Sequence, residues 1–356
     1  MNVMDHMNAY IKERDDYVTR GLLRCDDLDD LRVYTYTNSC KHWDYITMNS
    51  RGIIVNRKTG EIVSQPFPKF FNMGQRQETQ EHNLPWHEGF RIFEKCDGWL
   101  GILYRHNGQY KIATRGSFKS TGALWATKIL NECYRLDGLP DEVTLLFELI
   151  SPLTKIVVDY GQREDLVLLG AYNRHTGEEY QWDQVQSWGE EFGFLTANSW
   201  PKEYLGYCRG LLKSKPGNEL EGFIIRFANG LRIKIKSEDY FRRSKILQQI
   251  NPLGIWDIMQ NGNLPEYIWN MVDKDYHEDI EKIYHTLASR YRTIREEIDN
   301  QYKVCTGASS RNVFAKIAKT MSHAPAMFCL LDKQDNKVDE YIMKKIRPKN
   351  NILENE

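Results

Sequence analysis

The hydrophobic rhythm of this chain changes once, near residue 244, and that change limits what it can fold into. Before it, apolar and polar residues alternate in short runs broken by turn residues. After it, apolar residues recur every three or four positions. A period of two places alternate side chains on opposite faces of a strand, and a period of 3.6 gathers them into a helical stripe. Ile280, Ile283, Tyr284, Leu287, Tyr291, Ile294 and Ile298 predict a long amphipathic helix over 275–301, with shorter helical pieces at 315–321 and 341–346. With 356 residues, a two-domain chain follows as the natural expectation: a β-rich domain over 1–243 and an all-α domain over 244–356. The fold class is α+β.

Within the β-rich part, residues 1–30 read as polar helix and turn, with Met4, Met7 and Tyr10-Ile11 as a small packing face and Asp26–Asp30 as an acidic turn. Residues 31–37 alternate as a strand, and Trp43–Ile46 follows. Gly52–Val55 and Glu61–Ser64 flank a turn at 57–60 and predict a hairpin. Thr121–Cys133 predicts a helix that buries Leu124, Trp125, Ile129 and Leu130. Val143–Phe147, Lys155–Tyr160 and Leu166–Tyr172 read as β, and a helix is expected near 182–191, followed by loop-rich surface. Leu220–Phe227 and Leu231–Lys236 flank Asn229-Gly230, a strong hairpin signal.

The chemistry centres on Phe90–Gly101. A strand-like run delivers Lys95, Asp97 and Gly98 turn the chain, and a second run leads away. Such a pattern is either a plain hairpin or the seat of a nucleophilic amine, which must shed its proton to react. Glu148, after five strand formers, is either a costly buried charge or a site ligand. Alternation puts Arg232, Lys234 and Lys236 on one strand face and Ile233 and Ile235 on the other. Those lysines are either solvated edge charges or a clamp over an anion. Arg51 and Lys69 read as surface charge, and Phe71 as core.

Taken in order, Lys95-Cys96-Asp97-Gly98, Glu148, Glu221-Gly222 and Lys234-Ile235-Lys236 resemble the covalent nucleotidyltransferase superfamily. Upstream, Ser50-Arg51-Gly52 and Pro68-Lys69-Phe70-Phe71-Asn72 narrow the resemblance to the bacteriophage RNA ligase 1 family of ATP-dependent tRNA-repair enzymes. The resemblance covers roughly residues 30 to 240. It implies an antiparallel-β nucleotidyltransferase core (ATP-grasp-like ligase) followed by helices. It implies ATP and Mg2+, with Mn2+ as a substitute metal, and a lysyl-AMP intermediate on Lys95. Lys234 and Lys236 would be catalytic, depressing the Lys95 pKa by like charge. Arg51, Lys69, Phe71, Glu94, Gly98, Arg115, Glu148, Glu221, Gly222 and Tyr240 would join Lys95, Lys234 and Lys236 around ATP. Glu221 and Glu148 would serve the metal, and Glu148 also the ribose. The implied partner is RNA with a 5′-phosphate and a 3′-hydroxyl, nicked tRNA being the family's theme. A capping guanylyltransferase, a DNA ligase and a non-catalytic RNA-binding protein on the same scaffold are the competing readings. The helical C-terminal part argues against the first two, and the intact lysines and glutamates against the third.

Composition narrows the setting. Forty-eight Lys and Arg against 49 Asp and Glu leave a net charge of −1, so RNA contact must come from local basic patches. The basic stretch at 344–349 reads as a solvated end. Cysteines at 25, 40, 96, 133, 208, 305 and 329 are odd in number and lack metal spacing, which points to free thiols in a reducing compartment. Cys96, in the variable slot of the lysine motif, is assigned no chemistry. No phosphate-binding Gly-x-x-x-x-Gly-Lys loop occurs, no apolar run approaches ~20 residues, and the N-terminus lacks the apolar core of a signal peptide. The expectation is a soluble monomer in the cytoplasm, the host's if phage-encoded, with no membrane partner.

Overall fold

The computed structural model describes residues 3–260 and 277–349. It divides into two compact units, Met1–Phe241 and Arg242–Glu356.

The first unit holds three sheets. Helix α1 (Val3–Thr19) leads into a sheet of β1 (Leu23–Leu28), β2 (Leu31–Tyr36), β3 (Arg51–Asn56) and β4 (Ile62–Ser64), paired in that order, with α2 (Tyr45–Asn49) between β2 and β3. A second sheet orders β10 (Asp165–Asn173), β9 (Val143–Ile150), β7 (Trp99–His106) and β8 (Gln109–Thr114). The third orders β11 (Ser199–Pro201), β6 (Phe90–Lys95), β12 (Gly222–Phe227), β13 (Arg232–Lys236) and β5 (Phe71–Asn72). Every pairing is antiparallel except β13 with β5. Helices α3 (Thr121–Cys133), α4 (Trp182–Phe192) and α5 (Leu205–Ser214) complete the unit, and α6 (Glu238–Leu247) crosses its boundary.

Strand β9 explains how the sheets pack. All eight of its residues are buried, because it lies between β10 and β7 with both faces covered. One face joins Phe93 of β6, Leu130 of α3 and Trp182, Val185 and Trp188 of α4 in the largest core. The other meets Val33 of β2 and Ile54 of β3 through Ile102 and Phe67. The outer face of the third sheet packs Ile92, Phe223, Ile225, Ile233 and Ile235 against Leu84 and Cys208.

Several expectations change. The lysine stretch is no hairpin: β6 and β7 belong to different sheets, so Cys96-Asp97-Gly98 carries the chain from one to the other. Lys155–Tyr160 forms no strand, because the amides of Val157 and Val158 both donate to Asp97 Oδ2 at 2.8 Å. Asp26 and Asp27 lie in strand β1 rather than in a turn. That edge strand tolerates its acids because Arg32 binds Asp27 at 2.7 Å and Ser117 Oγ donates to Asp26 at 2.9 Å. Tyr45 and Ile46 begin helix α2, which Asp44 caps through the Thr47 amide. Leu124 is 59% exposed; the buried face of α3 is Gly122, Ala123, Ala126 and Leu130. Strand β11 and helix α5 occupy part of the stretch expected to be loop. The packing face expected at Met4, Met7 and Tyr10 lies outside the described side chains.

The second unit is helical in its described residues: α7 (Pro252–Gln260), α8 (His277–Cys305), α9 (Arg311–Ala318), α10 (Ala324–Leu331) and α11 (Asp335–Lys345). The expected long helix is α8, running to residue 305 rather than 301; positions 275–276 lie outside the described residues. The two shorter helices begin four to six residues earlier than their patterns suggest, and α7 and α10 had no distinct signal. Ile280, Leu287 and Ile298 of α8 close on Trp256, Ala326, Val338 and Ile342. Among the described residues, no helix is long and apolar enough to cross a membrane.

Candidate active site

Lys95 closes β6 opposite Gly222, and Gly222 lies opposite Lys236. Directly opposed residues share a sheet face, so the two lysines flank a residue with no side chain. The Glu221 carboxylate occupies the space between them. Its Oε2 is 2.7 Å from Lys95 Nζ and its Oε1 is 2.7 Å from Lys236 Nζ. A Cβ on Gly222, where φ is +156°, would come within 2.1 Å of the Ile235 carbonyl oxygen. Only glycine lets the hairpin close this tightly.

Glu148 approaches from β9. Its Oε1 accepts from the Gly98 amide at 2.8 Å. A Cβ on Gly98 would lie 2.4 Å from the Leu149 carbonyl oxygen, so this glycine is required for close approach. Asp97, 2% exposed, ties the same loop down. It accepts from Val157 N, Val158 N and the Tyr240 hydroxyl, the last at 2.6 Å, while its own amide donates to Tyr160. Tyr240 therefore acts here through Asp97, and its ring stacks beneath Lys236 Nζ at 4.9 Å.

One residue pair further along the same face, Lys234 sits over the Phe70 ring at 5.3 Å, with Arg51 over that ring at 5.6 Å. The Arg51 Nη1 is buried with no hydrogen-bond partner. Arg232 shares the lysine face but is committed elsewhere, to Glu179 at 2.6 Å. Lys69 Nζ lies among the rings of Tyr36, Trp43 and Phe71 at 5.1, 5.1 and 5.5 Å. Arg115 stacks on Tyr36 at 4.9 Å. Phe71 is 5% exposed and serves both as core and as a wall beside Lys69. Glu94 stands apart: alternation along β6 points it away from the Lys95 face, and Asn198 Nδ2 donates to it at 2.6 Å.

The electrostatics revise the expected role of the lysine pair. Burial pushes the Lys95 pKa down, but Glu221, Glu148 and Asp97 outweigh it and the net shift is upward. The carboxylates thus favour the protonated form of Lys95 and outweigh both burial and the neighbouring lysines. The depressed amine is Lys234, lowered to about 7 by burial and then by Lys69, Lys95, Lys236 and Arg51. Burial raises Glu148 to about 7, opposed by Lys95. Burial also raises Glu221, yet Lys95 and Lys236 bring it below its ordinary value. Burial raises the Cys96 thiol well above its ordinary range, which suits an inert residue.

Among the described residues, no cluster of three or more His, Cys, Asp and Glu could hold a metal by itself. The oxygen donors of Glu221 and Glu148 suit a hard cation that keeps waters or takes phosphate oxygens as its remaining ligands. Asp97, Phe70, Tyr36 and Trp43 were missed as site residues. Asp97 in the lysine motif and Phe70 in the Pro68–Asn72 motif were the visible signals among them.

Two sheets that meet at a strand-end lysine, with a carboxylate beside each and a lysine pair two strands away in the lysine's own sheet, form the nucleotidyltransferase fold. A solved archaeal ATP-dependent RNA ligase shares that fold, with a TM-score of 0.51 at 12% identity, over 90% of this chain and 89% of that one. The family model described as RNA ligase matches residues 49–250, more than half of the chain, and the chain belongs to that family. The RNA ligase of Rhodothermus phage RM378 is 24% identical over 376 aligned positions, 84% of each chain. A provisionally named RNA ligase of Thermovibrio ammonificans is 30% identical over 205 residues, 54% of this chain and 52% of that one. A provisionally named bifunctional polynucleotide kinase/RNA ligase of Autographa californica nuclear polyhedrosis virus is 26% identical over 267 residues, 67% of this chain and 37% of that one. The chain thus spans well under two thirds of the last two relatives' lengths.

Proposed function

We propose that this chain is an ATP-dependent RNA ligase acting through a lysyl-AMP intermediate on Lys95. The observation that carries the reading is the Glu221 carboxylate joining Lys95 to Lys236 on one sheet face, beside Glu148. After losing a proton, the Lys95 amine attacks the α-phosphorus of ATP. An N–P bond forms and the P–O bond to pyrophosphate breaks. An oxygen of an RNA 5′-phosphate then displaces the lysine, and an RNA 3′-hydroxyl displaces AMP to seal the strand. In this reading Lys234 and Lys236 offset charge on the reacting phosphate, Arg51 and Lys69 take the polyphosphate of ATP, and Arg115 is a further phosphate or RNA contact. Glu148 holds the ribose, and Glu221 with Glu148 supports Mg2+, or Mn2+ in its place. Bound there, the metal would neutralise phosphoryl charge.

The β-rich domain over 1–243 carries adenylylation, and the helical domain over 244–356 serves RNA choice, with broken tRNA the expected substrate. The protein works as a monomer in the cytoplasm, the host's for a phage-encoded chain.

Incubation with labelled ATP, or separately GTP, and magnesium, followed by denaturing electrophoresis and peptide mass spectrometry, tests this. AMP should be found on Lys95, be absent from Lys95→Ala, and persist in Cys96→Ser. GMP on the lysine would favour a capping enzyme, and no adduct in a folded preparation would favour a non-catalytic scaffold. Sealing of 5′-phosphorylated RNA against DNA then separates the two ligase classes.

A further inference from the structure

Lys69 is held in an unusual way. Among the described residues it has no carboxylate partner. Its ammonium instead sits among three aromatic rings: Tyr36 at the end of β2, Trp43 in the loop before α2, and Phe71 at the start of β5. Tyr36 and Trp43 meet edge to face at 4.8 Å, and Trp43 and Phe71 at 5.8 Å. Arg115 also lies over Tyr36 at 4.9 Å and Arg76 over Phe71 at 4.8 Å.

Each wall is fixed on its own. The Tyr36 amide donates to Ser50 O, and its hydroxyl accepts from Arg115. Phe71 is buried in register with Ile233 of β13. Trp43 precedes Asp44, which caps α2 and also accepts from the Tyr17 hydroxyl at 2.6 Å. The Lys69 amide donates to Met48 O at 2.7 Å, so α2 anchors the lysine's backbone as well.

Aromatic faces attract an ammonium without neutralising it, and tryptophan does so best. A carboxylate would orient Lys69 equally well, but it would compete with any phosphate that approached. Burial raises the Tyr36 phenol, yet Arg51, Lys69 and Arg115 together bring it below its ordinary value, which shows how closely three cations converge on this corner.

We infer that Trp43 is a positioning residue for the polyphosphate end of ATP: it holds the Lys69 ammonium in place, aimed at the polyphosphate in the bound substrate and the transition state alike. This rests on the nucleotidyl-transfer reading and deepens it, since Trp43 lies outside the lysine, glutamate and Lys-x-Lys motifs.

The test compares wild type, Trp43→Phe, Trp43→Leu, Lys69→Ala and the Trp43→Leu/Lys69→Ala double variant. Single-turnover lysyl-AMP formation is measured against ATP concentration. Sealing of chemically 5′-adenylylated RNA, which needs no ATP, is measured alongside. Trp43→Leu should raise the half-saturating ATP concentration by about five-fold, the scale of one lost cation–ring contact, and leave the maximal rate and the ATP-free sealing near wild type. Trp43→Phe should recover most of the loss. The double variant should be no worse than Lys69→Ala, because the two residues act as one unit. Additive losses in the double variant would overturn the inference, as would equal damage to both reactions. If wild type forms no lysyl-AMP, the nucleotidyl-transfer reading itself fails; additivity in an active enzyme removes only the role of Trp43.

Discussion

Lys95 Nζ and Glu221 Oε2 lie 2.7 Å apart, and Glu221 itself is 2% exposed. In this arrangement the proposed nucleophile carries a proton that its nearest neighbour helps to keep. Entry of a competing cation at Glu221 is one event that would weaken that hold.

The first prediction follows from that pair. Glu221→Gln removes the largest of the influences that raise the Lys95 pKa, so its amine should be freer at a given pH. In protein without ATP or metal, an amine-acylating probe should label Lys95 several-fold faster in Glu221→Gln at pH 8, each unit of pKa being worth about ten-fold in free amine. Labelling at the wild-type rate would show that the carboxylate does not govern the amine.

Lys234 makes a second prediction. Its pKa of about 7 means that much of it is neutral at pH 7.5. A triphosphate beside it raises that pKa, so ATP binding should take up protons. Calorimetry in buffers of different ionisation enthalpy, with an ATP analogue that cannot release pyrophosphate, measures the uptake. Lys234→Gln should abolish most of it and slow adenylylation on the order of 10²-fold. Because Glu221 is the largest influence that raises the Lys95 pKa, and Lys234→Gln leaves it in place, raising the pH should not rescue that variant.

The glycines at the site are tested by adding one carbon. Gly222→Ala drives a Cβ against the Ile235 carbonyl at a φ of +156°, and should cost about 1–3 kcal/mol in denaturant unfolding along with most of the adenylylation. Gly206 in α5 has nothing within 4 Å of an added Cβ. Gly206→Ala should be neutral or stabilising by roughly 0.5–1 kcal/mol. Equal effects at both positions would refute the close-approach argument.

Tyr240→Phe deletes a 2.6 Å hydrogen bond to buried Asp97. The expected loss is about 1–3 kcal/mol. Paired with Asp97→Asn in a double-mutant cycle, the two changes should be strongly non-additive. Additive losses would place the two residues in separate structural roles.

How much of this was legible in the sequence depends on the range of the forces involved. Lys95, Glu148, Glu221, Lys234 and Lys236 sit on or beside strands, and strand alternation is a local signal, so the face shared by Lys234 and Lys236 could be anticipated. The Asn229-Gly230 hairpin was local in the same sense. The crossover at Cys96–Gly98 was not, because a turn between two strand-like runs reads the same whether the strands pair with each other or with others. The bend at Val157-Val158 was hidden for a related reason. Two β-branched residues favour a strand, and what overrides them is a carboxylate 60 positions earlier. Asp97 and Tyr240 lie 143 positions apart, and the Tyr36, Trp43 and Phe71 rings come from three separate segments. The inverted electrostatics had the same origin: like charge between lysines was visible along one strand, but the carboxylate that outweighs it comes from the start of another.

The route from β6 to β7 has a practical corollary. Lys95 ends one sheet and Trp99 begins the next, so the reactive nitrogen sits on one of the links that join the two halves of the cleft, the other running from β10 to β11. A break in the polypeptide at Cys96–Gly98 would cut the loop that Asp97 ties down and free the lysine's end of β6. The Asn107-Gly108 and Asn229-Gly230 turns join strands that already pair with each other. A two-fragment version of the protein, built to reassemble on demand, should be divided at one of those turns.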